Sequence, residues 1–390
     1  MIRPMKNSMC NYLESRFSNL YSDPFKQVEK CFSDTINCLD LDEIDKRYLL
    51  SGSSDGTINI HDLWNFSGTP SYTAKVVSKV TKKNRNCHRQ SCECVQWLPT
   101  DTGMFVTSGM DKFLKVWDTN AMMAVDVIKL EGRIYQHHIS PMVSRRSLVA
   151  VATSSNNVSL FDLLTGSSTH QLIGHTETVI CTRFSNRDEN LLATAGKDHN
   201  IIFWDVRSAK SYLKTLKYKR SDKIESSHTG SICSLSFTSD GLYLLSLGND
   251  KRLRLWNTFS LESVDVSYPK IPVESKRFYR MAVTNELRNN KVFVPSEGKI
   301  IVIDIFSGNL EKTLIGHHNY IHSCVYSDIC QELYSGGVDQ SVLVWSCDRT
   351  RNSLYERYLK ERELNDVNYV PRNVIRPIIR SQAGTVYDYS

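Results

Sequence analysis

The sequence predicts an all-β fold, a seven-bladed β-propeller with an N-terminal helix-loop-helix and a partly flexible C-terminal tail. Three observations carry the prediction. A set of four residues recurs at nearly fixed offsets, as His88/Thr107/Asp111/Trp117, His175/Thr194/Asp198/Trp204, His228/Ser246/Asp250/Trp256 and His317/Ser335/Asp339/Trp345. Seven closing dipeptides pace the middle of the chain: His61-Asp62, Trp117-Asp118, Phe161-Asp162, Trp204-Asp205, Trp256-Asn257, Ile303-Asp304 and Trp345-Ser346. Between them, short β-rich segments such as residues 191–194 and 201–204 are separated by Gly, Asp and Asn turns, as four-stranded blades require.

In each set the Asp follows the His by 22 or 23 residues, the hydroxyl residue precedes the Asp by four, and the Trp follows it by six. The chemistry this implies is structural. A buried carboxylate is costly unless hydrogen-bonded, and imidazole, hydroxyl and indole groups can all donate. A hydrolytic triad uses Ser, His and Asp too, but it occurs once, in a cleft beside an oxyanion hole. Four copies at fixed spacing argue against catalysis, so the chain is read as no enzyme and no catalytic residue is assigned. The rhythm resembles that of WD40 repeats, one unit per blade.

From the N-terminus, residues 1–33 fit no blade and read as two short helices. Asn11 and Glu14 resemble a capping box, and Leu13, Phe17 and Leu20 then share one face. Asp23 and Pro24 restart a helix as N-cap and first helical residue, with Phe25, Val28 and Phe32 as its apolar face. Residues 34–347 hold the seven units. Unit one keeps Ser51 and Asp55 but has His61 where Trp is expected, whereas units three and six carry Ser155 and Glu297 at the Asp position. Strand-like runs persist there, at residues 147–153, 158–162, 291–295 and 299–305, and a repeat shares its stability with its neighbours. In residues 348–390, Ser353 and Glu356 cap a short helix carrying Leu354, Tyr358 and Leu359, and a Pro- and Arg-containing stretch follows that is expected to be flexible.

Composition narrows the function classes. A chain of 390 residues that is 41% hydrophobic and 23% charged can bury a large core. The net charge of +6 is mild for that length. Lys82, Lys83, Arg85 and Arg89 form one basic cluster and Lys217, Lys219, Arg220 and Lys223 another; both are read as solvated loops, with direct nucleic-acid contact a minor reading. Neither a secretory signal pattern nor an apolar run of membrane length occurs, so a soluble intracellular protein with no membrane contact is expected. Cys38, Cys94, Cys181 and Cys233 each precede a blade Asp by 17 residues, which places them at one repeated position on the innermost strand. Cys87, His88, Cys92 and Cys94 lack the paired spacing of a zinc site, and neither metal nor cofactor is expected.

The ending of unit four, Trp204-Asp205-Val206-Arg207, places an Arg on the rim opposite the His-containing loops, where a guanidinium can make a bidentate contact. It resembles the W-D-x-R motif by which many WD40 proteins dock on the damaged-DNA-binding adaptor of cullin-RING ubiquitin ligases. Longer segments are similar to blades of the Cockayne syndrome A family: residues 48–63 (YLLSGSSDGTINIHDL), 101–120 (DTGMFVTSGMDKFLKVWDTN), 237–257 (FTSDGLYLLSLGNDKRLRLWN), 135–141 (YQHHISP), 292–295 (VFVP) and 331–336 (QELYSG). The likeness runs from about residue 12 to residue 345 and includes the irregular unit six.

That resemblance implies a nuclear, non-catalytic substrate receptor of a cullin-RING E3 ubiquitin ligase, acting in transcription-coupled nucleotide excision repair. Carried over by position, Leu13, Phe17, Leu20, Asp23, Pro24 and Phe25 would anchor the adaptor, and Arg207 would assist from the rim. The Cockayne syndrome B ATPase and stalled RNA polymerase II would be the substrate-side partners. The family tail is acidic, whereas residues 349–390 contain several arginines, so no tail function carries over. Two other readings remain. One is a WD40 interaction scaffold of a nuclear complex outside ubiquitin transfer; the other is direct recognition of damaged DNA through residues 82–89, whose affinity would fall steeply with salt.

Overall fold

A computed structural model describes residues 20–23, 26–64, 72–142, 147–208, 211–220, 223–273, 278–284 and 290–346. Seven four-stranded antiparallel sheets make the blades of the propeller. Blade one uses Ile36–Leu41, Tyr48–Ser53, Ile58–Asp62 and Val76–Val80, from the inside outwards. The next five blades repeat this order, with inner strands Cys92–Leu98, Ile134–Ile139, Val179–Phe184, Ile232–Phe237 and Ala282–Val283. Blade seven takes Ile321–Ser327, Glu332–Gly337 and Val342–Ser346 from its own repeat.

Its fourth strand comes from the other end of the sequence. Tyr21–Ser22 pairs antiparallel with Val342–Ser346, in the register Tyr21↔Ser346 and Ser22↔Trp345. This corrects the expectation of a second N-terminal helix, because Lys26–Val28 is also a strand, parallel to Tyr72–Ala74. The propeller therefore begins ahead of the expected boundary at residue 34. Spacing alone favoured a helix, but backbone pairing with a distant strand outweighs so short a propensity signal. The first helix lies outside the described residues except for Leu20, and the whole extension 348–390 lies outside them.

Apolar faces of adjacent sheets build the core. Leu98, Val106, Leu114 and Val116 of blade two pack on Ile134, Ile139, Val149 and Val151 of blade three. Blade three then meets blade four through Ala150, Ala152, Val158 and Leu160 against Phe184, Leu192 and Trp204. Inner strands are mostly buried, and Ile36–Leu41, Ile232–Phe237 and Ile321–Ser327 wholly so, while the outer strand Met123–Lys129 alternates between exposed and half-buried residues. That alternation is expected of a strand covered on one face only.

Around the axis the inner strands present backbone edges that their own blades cannot pair, and neighbouring blades satisfy them. Trp97 N–H donates to Asp40 Oδ2 at 2.7 Å, Ile139 N–H to Gln96 Oε1 at 2.8 Å, and Thr182 N–H to Gln136 Oε1 at 2.8 Å. Arg183 Nε donates to Leu235 O at 3.2 Å, and Tyr279 N–H to Cys233 O at 2.9 Å. Arg280 and Cys324 exchange backbone bonds with the segments facing them, and Leu39 N–H donates to Ser323 Oγ at 3.1 Å. The sequence of bonds passes through every blade and returns to the first.

Ring closure is reinforced at the rim. Lys26 Nζ, 4% exposed, donates to Glu332 Oε2 at 2.5 Å and to Tyr334 Oη at 2.9 Å, and Tyr334 Oη–H also donates to Glu332. Ser346 Oγ–H donates to Asp23 Oδ2 at 2.6 Å, while Asp23 N–H donates to Val344 O at 2.8 Å. Lys26→Met alone should cost about 3–5 kcal/mol by leaving the Glu332 carboxylate buried without a counter-charge. The double variant Lys26→Met/Glu332→Leu should recover most of that loss. Urea denaturation of the three chains checks it, and equal stability of single and double variants would reject the pairing argument.

Candidate functional site

Each of the four complete repeats forms the same directional chain of hydrogen bonds. In blade four, Trp204 Nε1–H donates to Thr194 Oγ1 at 2.7 Å; the Thr194 hydroxyl meets His175 Nε2 at 2.7 Å; and His175 Nδ1 meets Asp198 Oδ2 at 2.7 Å. Blades two, five and seven repeat it. Trp117 donates to Thr107 Oγ1, Trp256 to Ser246 Oγ and Trp345 to Ser335 Oγ, each at 2.8 Å. The Thr107 and Ser246 hydroxyls meet His88 and His228 Nε2 at 2.8 Å, and that of Ser335 meets His317 Nε2 at 2.7 Å. On the far side of each ring, Nδ1 meets Asp111 at 2.9 Å, Asp250 at 3.0 Å and Asp339 at 2.7 Å.

Since the indole can only donate, the hydroxyl proton is directed to Nε2, and the neutral imidazole carries its own proton on Nδ1 toward the Asp. The Asp is completed by the backbone N–H after the His, as from Arg89 at 3.1 Å and Thr229 at 3.2 Å. Sequence reasoning grouped these residues correctly, but it had imidazole, hydroxyl and indole all serving the carboxylate. That order is corrected: Thr107, Thr194, Ser246 and Ser335 stand between indole and imidazole, and of the three side chains only the imidazole reaches the Asp. The physical reason is position. The hydroxyl residue lies on the second strand, between the third-strand Trp and the entering His, and the Asp lies beyond the strand end in the turn.

Local backbone fixes the staple in place. The residue after each Asp is left-handed: Lys112 (φ 70°), His199 (64°), Lys251 (62°) and Gln340 (60°). This tight turn aims the carboxylate back at the His. Gly174 and Gly316 precede two of the histidines, and a Cβ there would stand 2.7 and 2.8 Å from the Trp204 and Trp345 rings. A side chain at either of these two positions would force the indole to shift, whereas the blades of Trp117 and Trp256 accommodate Cys87 and Ser227 before their histidines.

Irregular blades are held differently. In blade one, Asp55 accepts from Ser33 Oγ–H and from Thr57 Oγ1–H at 2.6 Å, so Ser33 takes the place of the staple His. His61 occupies the Trp position beside Phe32, with ring centroids 5.8 Å apart. Ser155 in blade three bonds Thr153 Oγ1 at 2.8 Å, and Glu297 in blade six sits with Gly298 in a turn of positive φ.

Titration follows from this burial. Burial alone would raise the carboxylates Asp111, Asp198, Asp250 and Asp339, but His and backbone N–H donors outweigh it and hold all four below the usual range. Burial pushes His88 and His228 down despite their Asp partners, His61 to about 4 and His137 to about 3. It pushes Cys94 and Cys233 up to about 12, as inert thiols on inner strands, where Cys38 and Cys181 also lie. Cys87 Sγ–H donates to Gly56 O at 3.2 Å and Cys94 Sγ–H to His137 O at 3.5 Å, so the sulfur-rich stretch is consumed by packing between blades.

Of the expected adaptor residues, Leu13, Phe17, Pro24 and Phe25 lie outside the described residues. Leu20 is wholly buried with Phe293, Ile300, Val302, Leu314 and Trp345, and Asp23 is tied to Ser346. Both serve ring closure, and the complete burial of Leu20 corrects its assignment to a partner surface, while Asp23 stays half-buried at the rim. Arg207 stands on the rim where the third strand Ile201–Asp205 ends, opposite the staples, with its side chain 66% exposed. Asp205 holds its guanidinium through Nε at 3.0 Å and Nη2 at 2.8 Å, which uses two of its five N–H donors. The basic residues of 82–89 lie in an irregular connection, whereas Tyr218–Arg220 and Lys223–Glu225 pair as a hairpin where a loop was expected. Among the described residues no helix is long and apolar enough to cross a membrane, and no group of His, Cys, Asp and Glu converges as a metal site. Sequence reasoning missed Asp40, Arg183 and Arg280, which line the central channel; a charged residue on an inner strand was the available signal.

Two outcomes follow. Asp198→Ala should destabilise the propeller by about 1–3 kcal/mol, by stranding the His175 N–H, whereas Arg207→Ala should leave the melting temperature unchanged. Equal melting temperatures for both variants would refute this division of roles. The depressed histidines bind protons more readily in the unfolded chain, so their stabilisation is complete above about pH 6.5 and declines as pH falls toward the folded values. The melting temperature should therefore hold above about pH 7 and drop between about pH 6.5 and 4; no drop there would contradict the burial of neutral His61 and His137.

Comparisons with known proteins agree with this architecture. Residues 26–62, 79–118, 166–205, 220–257 and 308–346 match the family described as WD domain, G-beta repeat. Over 419 residues the chain is 28% identical to the WD repeat-containing protein ATCSA-1 of Arabidopsis thaliana, covering 88% of this chain and 92% of that protein. It is 24% identical to Autophagy-related protein 16 of the same plant, covering 73% of this chain and 53% of that protein. Radiation-sensitive protein 28 of Saccharomyces cerevisiae is 26% identical over 44% of this chain and 39% of its own length. With five of its repeats matched and its seven four-stranded sheets closed into a ring, this chain is a WD40 repeat protein.

Proposed function

We propose that this chain is a non-catalytic substrate receptor of a cullin-RING E3 ubiquitin ligase, docked through the damaged-DNA-binding adaptor and acting in transcription-coupled nucleotide excision repair in the nucleus. The observation that carries the reading is the extent of likeness to ATCSA-1, which takes in 88% of this chain and nearly the whole of that protein. The segments that resemble the Cockayne syndrome A family and the outward pose of Arg207 add to it. In this reading Leu13, Phe17, Pro24 and Phe25 meet the adaptor, with Arg207 contributing from the rim. The Cockayne syndrome B ATPase and stalled RNA polymerase II occupy the substrate side.

Such a receptor acts by proximity. Holding a ligase arm and a substrate on one rigid ring raises the effective concentration of substrate lysines near the charged conjugating enzyme, so no residue of the ring has to touch the bond being made.

The test is co-purification of the full chain with the purified adaptor, beside a chain lacking residues 1–19 and the Arg207→Ala variant. A truncation to residue 33 would be uninformative, because it removes the strand Tyr21–Ser22 that closes blade seven. Stoichiometric binding by the full chain, lost on truncation and weakened about tenfold or more by Arg207→Ala, is expected. A folded full chain that ignores the adaptor while retaining other stable partners would reject the reading and favour a WD40 scaffold outside ubiquitin transfer.

A further inference from the structure

The inner strands leave a cavity of about 180 Å³ at their C-terminal ends, lined in part by Asp40, Trp97, His138, Arg183, Arg280 and Tyr326. Inner and third strands of a blade run the same way, so this mouth of the channel opens on the face that carries Arg207.

Its charges do not balance. Asp40 pairs with Arg280, and Glu43 pairs with Lys46 at 2.5 Å. Both carboxylates of the lining are thereby taken. Arg183 is left with one neutral acceptor, Leu235 O, and no described carboxylate stands within ion-pair reach of it. Burial and the nearby Arg280 lower its titration to about 10. Arg183 is half-buried, and a guanidinium partly withdrawn from water without a counter-charge is costly.

Other donors face the same shortage of acceptors. Phe184 N–H donates to His138 Nδ1 at 3.0 Å, which places the proton of the neutral ring on Nε2. The indole N–H of Trp97 is buried without an acceptor. The lining is thus rich in fixed donors and poor in free acceptors, and Arg183 and Arg280 are both held in place by the ring. Guanidinium groups so held suit the planar and tetrahedral geometry of carboxylates and phosphates.

We propose that the channel mouth on the Arg207 face is a binding site for a small oxyanion of the phosphate or carboxylate class, held by Arg183 with Arg280 and His138 beside it. The oxyanion comes either free or on an acidic side chain of a docked peptide. This assignment does not depend on the ligase reading.

The experiment titrates the full-length chain with inorganic phosphate at constant ionic strength, following melting temperature and phosphorus line width, and in parallel with a short glutamate-rich peptide. Saturable binding is expected, with the melting temperature rising by mass action and the effect lost in Arg183→Gln. Circular dichroism reports whether that variant is folded. Phenylglyoxal labelling of Arg183 in the unaltered chain, read by mass spectrometry, should slow severalfold in the presence of the bound anion, so the test survives a variant that does not fold. Saturation by phosphate identifies a free oxyanion and saturation by the peptide alone identifies a partner carboxylate; either upholds the site. It is overturned if neither probe saturates, if a folded Arg183→Gln binds as well as the original, or if labelling of Arg183 is unaffected.

Discussion

The fold depends on satisfying the inward edges of seven strands. An inner strand pairs with its own blade on one side only, and its other edge carries amide and carbonyl groups that are buried near the axis. Here those groups find partners across the blade boundaries: Asp40 for Trp97, Gln96 for Ile139, Gln136 for Thr182, Ser323 for Leu39. Polar side chains at such positions would be liabilities in an ordinary core. In a closed ring they set the rotation between blades, since each bond forms only when the neighbouring strand is in place.

The staples act within this ring and not around it. Each chain of Trp, hydroxyl, His and Asp ties the third strand to the second and to the loop entering the inner strand. With every donor and acceptor used, the imidazole needs no charge, which suits its burial. Blades one, three and six depart from the staple yet keep four strands, because their apolar faces are shared with complete neighbours. Blade one shows how little the frame demands: Ser33 supplies the one donor to Asp55 that a His supplies elsewhere.

How much of this was legible in the sequence varied with the range of the interaction. The tetrads, the repeated inner-strand cysteines and the blade count depend on spacing inside one repeat, so periodicity reported them. The order of bonding within a tetrad was not legible, because spacing says that Thr107, Ser246 and Ser335 recur and not which neighbour each hydroxyl faces. Tyr21–Ser22 has no period to detect, being a two-residue strand paired with Trp345 and Ser346 from the last repeat. For the same reason Leu20 read as part of an apolar helix face and Asp23 as a helix N-cap, although one fills the core and the other anchors a strand end. Arg207 was visible through its Trp-Asp context, but its capture by Asp205 was not, because a side-chain pose two residues away leaves no pattern. The channel residues Asp40, Arg183 and Arg280 meet only when distant repeats converge on the axis, and no local window contains them.

Closing the last blade with the first strand also orders events in time. During synthesis residues 21 and 22 emerge early, and their partner strand Val342–Ser346 is completed only after every other blade has been made. Until then the nascent ring is an open arc, with blade seven short of its outer strand and Leu20 without the core it fills. Contacts of such long sequence separation form slowly, and unpaired edges invite wrong partners in the interval. The feature that makes the finished ring hard to open therefore makes the unfinished chain the stage most dependent on protection.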